Sequence, residues 1–452
     1  MTSTAQTALR REAPGNARRF EHLKLGGLVA VLYAYCAAGP FGFEEMVSTS
    51  GPGMALLFLL VVPWLFSLPM SLATAEMATA MPVEGGFYRW TRAAFGDFWG
   101  FQCGWWNWTG TFLMNAAYAV VLADYTAQIF PAVAGAGGVR HWLVALFFLL
   151  LVAALNIRGV RVVGGTTTVL LFVCLAPVAV FTVLALLQLK ANPFVPLAPP
   201  GTPWREVYGV GLALGLWLYS GYEQLSTITE EVERPARNFP RGLAIIVPVA
   251  MITFFLPTLA AIGVTGDWQS WTTGHMVAAA RVAGGETMAV AMFGAAMISV
   301  LLGLESTLLS STRLPFTMAE DGYFHPRLAQ LNPRFKTPVA AILLTTALCA
   351  ALAVFPVTQL IPVYMWLRVA TSVLTLLSLW RLRRTRPDLP RDFRIPGGRL
   401  GLALIVLVPL TLFTWWLTNT DPFARLWGPL LLALGPVAFV IVRKARLQPL
   451  AR

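Results

Sequence analysis

The feature that most constrains this chain is a succession of apolar segments, each long enough to cross a lipid bilayer. The hydrocarbon core of a bilayer is about 30 Å thick, so an α-helix needs roughly 20 apolar residues to span it. Twelve segments of this kind lie at about 24–50, 53–80, 97–130, 139–157, 164–189, 206–230, 241–265, 286–318, 338–355, 357–380, 400–418 and 424–442. The chain is 57% hydrophobic and 12% charged, about half the charged fraction of a soluble protein. We therefore predict an all-α polytopic membrane protein with twelve transmembrane helices.

Positive charge is distributed unevenly among the loops between these segments. If both chain ends lie on one side, 27 of the 33 lysines and arginines fall on that side and five on the other, while Arg368 lies inside a segment. Lys and Arg accumulate in cytoplasmic loops. The bias predicts cytoplasmic termini in a multi-pass protein of the plasma or inner membrane. It also explains the net charge of +12 without a nucleic-acid partner.

Residue types that hold metals or perform covalent chemistry form no pattern here. The four cysteines lie singly in apolar segments and the four histidines are isolated, whereas metal ligands usually come at short, regular spacing. We find no nucleophile–base set and no cofactor motif. The first 23 residues are polar and arginine-rich, unlike a cleavable signal peptide. We expect no metal, no cofactor and no enzyme activity.

Two of the apolar segments are interrupted near their middle. The first reads AAGPFGFEEM over residues 37–46, and the sixth reads LYSGYE over residues 218–223. Irregular backbone at membrane depth is tolerated only where it is buried in protein or lines a cavity, and ionisable residues there mark functional sites. Interrupted helices at corresponding positions of two halves indicate an inverted-repeat transporter with a site near the bilayer midplane.

These interruptions divide the chain into two five-helix repeats with flanking pieces. We expect a cytoplasmic N-terminal tail (1–23), a first repeat (24–190), a second repeat (191–380), a cytoplasmic loop (381–399), two further helices (400–443) and a cytoplasmic C-terminal tail (444–452). The arginine-rich loop is read as solvated and in contact with anionic lipid. A moderately apolar stretch at 273–285 is a candidate for a short outer helix over the site.

Five stretches of the chain carry a family resemblance. They are GPFGFEEMVSTSGPG (39–53), AEMATAMPVEGGFYRW (75–90), GFQCGWWNWTGTFLMNAAYAVVLADY (100–125), GYEQLSTITEEVERPARNFPRGL (221–243) and STRLPFTMAEDGYFHP (311–326). Through them the chain resembles the amino acid–polyamine–organocation (APC) superfamily, and within it the polyamine:proton symporters of plants and protozoa. The resemblance implies a LeuT-type 5+5 inverted repeat with helices 1 and 6 broken, substrate between spans 1, 3, 6, 8 and 10, and proton-coupled alternating access.

Glu44 and Glu45 fall in the first turn after the first interruption, where Gly39 and Gly42 shape the backbone. A helix N-terminus offers free N–H groups and a positive dipole end, and relatives that carry amino acids use those amides to hold the substrate carboxylate. Here Pro40 removes one donor and a carboxylate already occupies the turn, which suits a substrate ammonium better. Adjacent helical residues point about 100° apart, so we expect one glutamate, Glu44 slightly before Glu45, to face the cavity. The alternative is that both only cap the half-helix.

Span 3 carries polar and aromatic residues on one face. Asn107 and Asn115 lie eight residues apart, hence on nearly the same face of a helix, and Tyr118 lies near that face. By resemblance they face the substrate. An aromatic ring can hold a cation over its face, although aromatic residues also anchor helices at membrane interfaces.

The remaining candidates lie on spans 6 and 8. By resemblance, Glu223 corresponds to an acidic position that couples protons, and Trp217 to an aromatic lid. Tyr219 lies at the sixth-span interruption. Glu305 is embedded in span 8, where it would bind a cation or pair with Arg368. Hydroxyl residues on span 8 leave sodium coupling open.

The number of buried carboxylates decides the functional hypothesis. We predict a secondary active transporter for proton-coupled uptake of polyamines or related organic cations, whose partners are a small cationic substrate, protons and the lipid bilayer. The alternative is an amino acid permease of cationic or broad specificity, working as a symporter or an exchanger. A sensor or channel of the same fold is a third class.

Overall fold

The computed structural model describes residues 24–36, 39–81, 85–133, 135, 138–158, 163–221, 233–335 and 337–447. Regular structure in these ranges is helical. The helices are α1 Leu25–Cys36, α2 Glu45–Ser50, α3 Pro52–Val62, α4 Leu68–Ala80, α5 Gly86–Phe95, α6 Asp97–Ile129, α7 Val139–Arg158, α8 Val163–Leu186, α9 Trp204–Leu218, α10 Pro235–Thr265, α11 His275–Glu320, α12 Val339–Leu352, α13 Val357–Thr385, α14 Gly398–Asn419 and α15 Pro422–Leu447. A π-helical turn, Pro63–Ser67, joins α3 to α4.

Seven stretches in the described part of the chain are long and apolar enough to cross a membrane. They are Pro52–Ala80, Val139–Arg158, Arg237–Thr265, His275–Glu320, Val357–Thr385, Gly398–Asn419 and Pro422–Lys444. Their outer faces carry exposed apolar side chains such as Phe147, Leu407 and Ile441, at 59%, 57% and 62% exposure. Apolar surface of this extent belongs in lipid. The predicted all-α polytopic architecture is therefore confirmed at the level of helical spans, and twelve spans remain a prediction.

The first apolar segment is interrupted where the glycines and proline predict. Helix α1 ends at Cys36 and α2 begins at Glu45. Gly39 and Gly42 have φ values of +139° and +86°, in a region that side chains with a Cβ rarely adopt. The Cβ of any other residue at position 39 would also lie 2.7 Å from Ser299 Oγ. Glycine is required at this break both by backbone conformation and by the close approach of α11.

The sixth segment also stops at its predicted interruption. Helix α9 ends at Leu218, and Gly221 has a φ of +111°. The next described helix, α10, starts at Pro235. Residues 222–232, which include the candidate Glu223, lie outside the described part of the chain.

Helix α11 is bent near its beginning by two glycines. Gly284 and Gly285 have non-helical φ/ψ values of −144°/19° and 69°/−165°. They separate a short helical piece, residues 275–283, from the long piece, residues 286–320. This short piece lies in the stretch that the sequence marks as a candidate outer helix. We call residues 266–283 the outer segment.

Helix α6, 33 residues long, is the central element. It packs against α5, α7, α11 and α13. Gly110 lies at the contact with α13, since a Cβ built there would be in van der Waals contact with the ring of Tyr364 at 3.4 Å. Three of the helices that meet near this point, α6, α11 and α13, also form most of the wall of a cavity.

Candidate functional site

A cavity of about 510 Å³, which includes its opening, lies between α6, α9, α11 and α13. Its wall consists of Trp106, Asn107, Thr111, Met114, Tyr118, Trp217, Ser220, Gly221, Thr307, Ser310, Tyr364, Arg368 and Thr371. Helical spacing explains the set, because residues three or four apart share a face. Asn107, Thr111, Met114 and Tyr118 follow this spacing on α6. On α13 the spacing is repeated at residues 364, 368 and 371.

An aromatic ring of α6 packs against one at the end of α9. The ring centroids of Tyr118 and Trp217 are 5.6 Å apart at an interplanar angle of 52°. Trp217 also reaches the first interruption, since a Cβ placed on Gly42 would lie 3.7 Å from its ring. One indole thus links the cavity to both broken segments. Trp217, Tyr118 and Asn107 are sequence candidates that the structure places in the cavity wall.

Hydroxyl groups of the wall donate their hydrogens to backbone carbonyls. Thr111 Oγ1 donates to Trp108 O (2.6 Å) and Ser220 Oγ to Trp217 O (2.8 Å). Thr371 Oγ1 donates in the same way to Arg368 O (2.8 Å). A hydroxyl that has donated its hydrogen still offers acceptor lone pairs. The cavity wall therefore supplies acceptors suited to an ammonium group.

Arg368 is the charged side chain of the wall among the described residues, and it is only 3% exposed. Glu44, Glu45 and Glu305, the carboxylates on which the cation hypothesis depends, are not among the wall residues. The only role that the sequence predicts for Arg368 is an ion pair with Glu305. Its position as an arginine within an apolar span is the sequence feature that could have indicated a place in the cavity wall.

Glu44 is fully buried at the first interruption. Its Oε2 accepts a hydrogen bond from Gly42 N (2.8 Å), and its Oε1 accepts from Gly274 N (3.2 Å) and from Tyr125 Oη. The carboxylate thus satisfies a free amide of the break, a tyrosine of α6 and the start of the short helix of the outer segment. None of these donors is an amide of α2, so the side chain of Glu44 does not cap that half-helix. Tyr125 was not a sequence candidate.

Glu45 occupies a different environment from its neighbour. It is partly exposed and lies within electrostatic reach of Asp124, beside Thr273. Asp124 Oδ1 is 2.8 Å from Nε2 of the buried His141. These two adjacent glutamates therefore have different surroundings. Glu44 is bonded at the first interruption and to the outer segment, and Glu45 lies in a polar group with α6 and α7.

The outer segment is held against the first broken helix by further contacts. Ser48 Oγ of α2 donates to Trp271 O (2.6 Å), and the Trp271 ring stacks on His275 with centroids 4.6 Å apart. Gln128 Nε2 of α6 donates to Thr273 O (3.4 Å). Together with the Gly274–Glu44 bond, these contacts tie α2, α6 and the outer segment into one polar junction.

Two sequence candidates have structural partners outside the cavity wall. Asn115 Oδ1 accepts from Thr307 Oγ1 (2.5 Å), which joins α6 to α11. Tyr219 Oη donates to Leu59 O (2.7 Å), and Tyr219 O accepts from Ser67 Oγ (2.9 Å). Both residues are fully buried. They connect helices around the cavity instead of lining it.

The remaining candidates are also away from the wall. Gly39 and Gly42 shape the first interruption. Glu305 lies on α11 at 8% exposure, and its Oε2 has no hydrogen-bond partner among the described residues. Glu223 lies outside the described ranges.

A polar cluster joins the short helix α5 to the end of α11. Asp321 accepts from Tyr88 Oη (2.6 Å) and pairs with Arg89 (3.2 Å) and Arg92 (3.2 Å). Burial, with the adjacent Asp321, raises the pKa of the Tyr88 phenol. The phenol therefore remains protonated and keeps donating throughout the neutral range.

Glu76 anchors the arginine-rich loop that follows α13. Its fully buried carboxylate pairs with both nitrogens of the Arg383 fork, lies 3.4 Å from Arg391 Nε and accepts from Ile395 N (2.9 Å). Burial lowers the pKa of Arg391, while Glu76 acts in the opposite sense. The side chain of Arg391 is only 4% exposed, so this arginine of the loop packs on the protein.

A comparison with protein families decides the class of the chain. The profile of the amino acid permease family matches residues 25–439. The chain belongs to this family, within the APC superfamily. It is therefore a transporter and a multi-pass membrane protein, and not an enzyme.

Individual relatives cover most of the transporter. A probable polyamine transporter of Arabidopsis thaliana is 30% identical over 386 residues, which is 85% of this chain and 79% of the relative. The polyamine transporter RMV1 of the same plant is 30% identical over 392 residues, covering 85% and 78%. The branched-chain amino acid permease BcaP of Bacillus subtilis is 26% identical over 404 residues, covering 82% of each chain.

Proposed function

We propose that this transporter is a secondary carrier that takes up small organic amines together with protons, by alternating access. The observation that carries this proposal is a closely walled cavity beside both interruptions, since Trp217 and Gly221 of the sixth segment line it and Trp217 also reaches Gly42. Interrupted helices that meet at one site are the arrangement expected of inverted-repeat carriers.

The architecture that we propose is twelve membrane-spanning helices with a LeuT-type 5+5 inverted repeat. Each of the twelve predicted apolar runs contains one or two of the described helices. The repeats would be residues 24–190 and 191–380, with two further spans at 400–443. We place the protein in the plasma or inner membrane. The tails 1–23 and 444–452 and the loop 381–399 would lie in the cytoplasm, as the distribution of Lys and Arg favours.

Polyamines and related organic cations are the first substrate class. Their support is the similarity to plant polyamine transporters, together with a wall of aromatic rings and hydroxyl acceptors suited to ammonium groups. In this proposal Asn107, Tyr118 and Trp217 contact the substrate. Glu44, Glu45, Asn115, Tyr219 and Glu305 would act from behind the wall.

An amino acid permease is the second candidate, working as a symporter or an exchanger. One observation favours it, namely Arg368 in the wall, and the similarity to BcaP agrees with it. An arginine can pair with a carboxylate, a group that amino acids have and polyamines lack.

The test is uptake into proteoliposomes that contain the purified transporter. Labelled putrescine, spermidine, ornithine, arginine and leucine are supplied with and without an inward proton gradient. Gradient-driven accumulation of any of these amines, abolished by a protonophore, is the expected result. Absence of accumulation of all of them would contradict the carrier, and a conductance far above carrier turnover would indicate a channel.

We assign proton coupling to Glu223, because this residue corresponds by resemblance to an acidic position that couples protons in related carriers. A Glu223→Gln variant removes the titratable group while keeping its size. We expect exchange of labelled for unlabelled substrate to continue without a gradient, and gradient-driven accumulation to be lost. Retained accumulation would exclude Glu223 as the coupling residue.

A further inference from the structure

We infer that Trp106 limits the length of the amine that the transporter accepts, because its indole closes one end of the cavity. The inference rests on the proposed carrier function. Within the first substrate class of that function, it names the residue that discriminates between shorter and longer amines. The end in question is the one nearest the start of α6, which we call the inner end.

The cavity wall extends along α6 and carries an aromatic ring at each end. Its residues on this helix run from Trp106 to Tyr118, twelve positions that cover about 18 Å of helix axis. Tyr118 packs against Trp217 at the outer end, and Met114 lies between the two ends. Aromatic faces attract ammonium groups. The arrangement matches a molecule whose ammonium groups are separated by a run of methylene groups.

At the inner end the wall stops at Trp106. One turn before it on α6, Gln102 is fully buried and is not among the wall residues. On α13 the last wall residue is Thr371. Further along that helix the buried Ser378 lies 3.3 Å from Thr91 of α5, between the two hydroxyl oxygens. The helices are therefore packed together beyond this level, and the indole is the bulkiest group of the wall at the point where the space ends.

The indole of Trp106 is fixed by the last helix, α15. Its Nε1 donates to Leu432 O (2.9 Å), and a Cβ built on Gly435 would lie 2.8 Å from the same nitrogen. That Cβ would also clash with Oε1 of Gln102, whose buried amide has no hydrogen-bond partner among the described residues. A ring held in this way resists displacement by a longer molecule. Its removal would open the cavity toward the amide of Gln102.

The experiment measures the KM for uptake of unbranched diamines that differ only in the number of methylene groups. Putrescine, cadaverine, diaminohexane, diaminooctane and diaminodecane are supplied to proteoliposomes that contain the transporter. In the unaltered protein we expect the KM to pass through a minimum at one chain length. In Trp106→Ala this minimum should move to a chain at least two methylene groups longer, and the KM for diamines beyond the original minimum should fall at least ten-fold.

The tryptophans that flank Trp106 provide matched controls. Trp105 and Trp108 lie on the same helix, and neither is among the wall residues. Trp105→Ala and Trp108→Ala should keep the minimum of the unaltered transporter. If Trp106→Ala fails to fold, Trp106→Phe decides, because it keeps a smaller ring and loses the bond to Leu432. It should move the minimum in the same direction by at least one methylene group.

Two kinds of failure are distinguishable. The inference is overturned, and the carrier stands, if the KM does not depend on chain length, if the minimum is unchanged in a folded Trp106 variant, or if the control variants shift it equally. Uptake of ornithine or leucine without uptake of any diamine would have the same consequence. If the unaltered transporter takes up no amine at all, the proposed carrier itself is wrong.

Discussion

Buried polar side chains in this transporter divide into those that line the cavity and those that join helices behind it. The sequence predicts part of this division. Asn107, Tyr118 and Trp217 are both sequence candidates and wall residues, because helical spacing determines which side chains share a face. It does not separate Tyr219 from them, since the partner of Tyr219 lies 160 residues away at Leu59. Partners so distant in sequence depend on the packing of whole helices.

Tyr219→Phe tests this division at one atom. The change removes the donor to Leu59 O and leaves a buried carbonyl without that partner, which costs about 1–3 kcal/mol. We expect a lower melting temperature in detergent with an unaltered KM for the transported amine. Tyr118→Phe, at a wall position, is the comparison variant. A raised KM in Tyr219→Phe at unchanged stability would instead place Tyr219 in the binding site.

At the level of secondary-structure elements, a single buried carboxylate can hold two distant segments of the chain together. The glycines of the first interruption predict where the helix stops, and the structure agrees. The sequence could not tell that Glu44 would join the first interruption to the outer segment, because Gly274 approaches it from 230 residues away. The same holds for Glu76, which meets the 381–399 loop only in the folded chain. In both cases a buried carboxylate holds a segment that is distant in sequence against its own helix.

Glu44→Gln should loosen the outer segment. A glutamine has one acceptor oxygen and one NH₂ group, so it cannot accept from both Gly42 and Gly274 as the carboxylate does, and each lost bond costs about 1–3 kcal/mol. With Met114→Cys as a reporter in a cysteine-free background, we expect an impermeant thiol reagent added outside to label the cavity several-fold faster.

Glu206→Gln is the control for this change, because Glu206 is an exposed glutamate in the first turn of α9, away from the outer segment in sequence. Its labelling rate should remain close to that of the parent. Equal rates in Glu44→Gln and the parent would show that Glu44 does not hold the outer segment closed.

Glu76→Gln should destabilise the transporter more than any exposed charge change. Breaking a buried ion pair by removing one partner costs about 3–5 kcal/mol, and here Arg383 and the buried Arg391 would both lose their anion. We expect a clear fall in melting temperature. Glu286→Gln, in an exposed pair with Arg281, is the control and should leave the melting temperature nearly unchanged, because exposed ion pairs contribute little to stability. Similar melting temperatures for the two variants would contradict the anchoring role of Glu76.

At the scale of the whole molecule, the apolar runs and their interruptions predict the class of fold and the family. Hydropathy works here because lipid requires each spanning segment to satisfy its own backbone hydrogen bonds. The sequence predicts less well which charged side chains line the cavity. The carboxylates in apolar segments favour a cation site, whereas the side chain of Glu44 bonds within the first interruption and Arg368 lies in the cavity wall. Which charges face a shared space follows from helix packing, which one chain's hydropathy does not encode.

The carrier proposal depends above all on whether the transported molecule occupies this cavity. A Thr371→Cys variant in a cysteine-free background places one thiol in the wall beside Arg368. We predict that a transported amine protects this thiol from a small thiol reagent, with half-maximal protection near its KM for uptake. If uptake persists and the substrate gives no protection at any concentration, the substrate does not bind in this cavity and the proposed site is wrong.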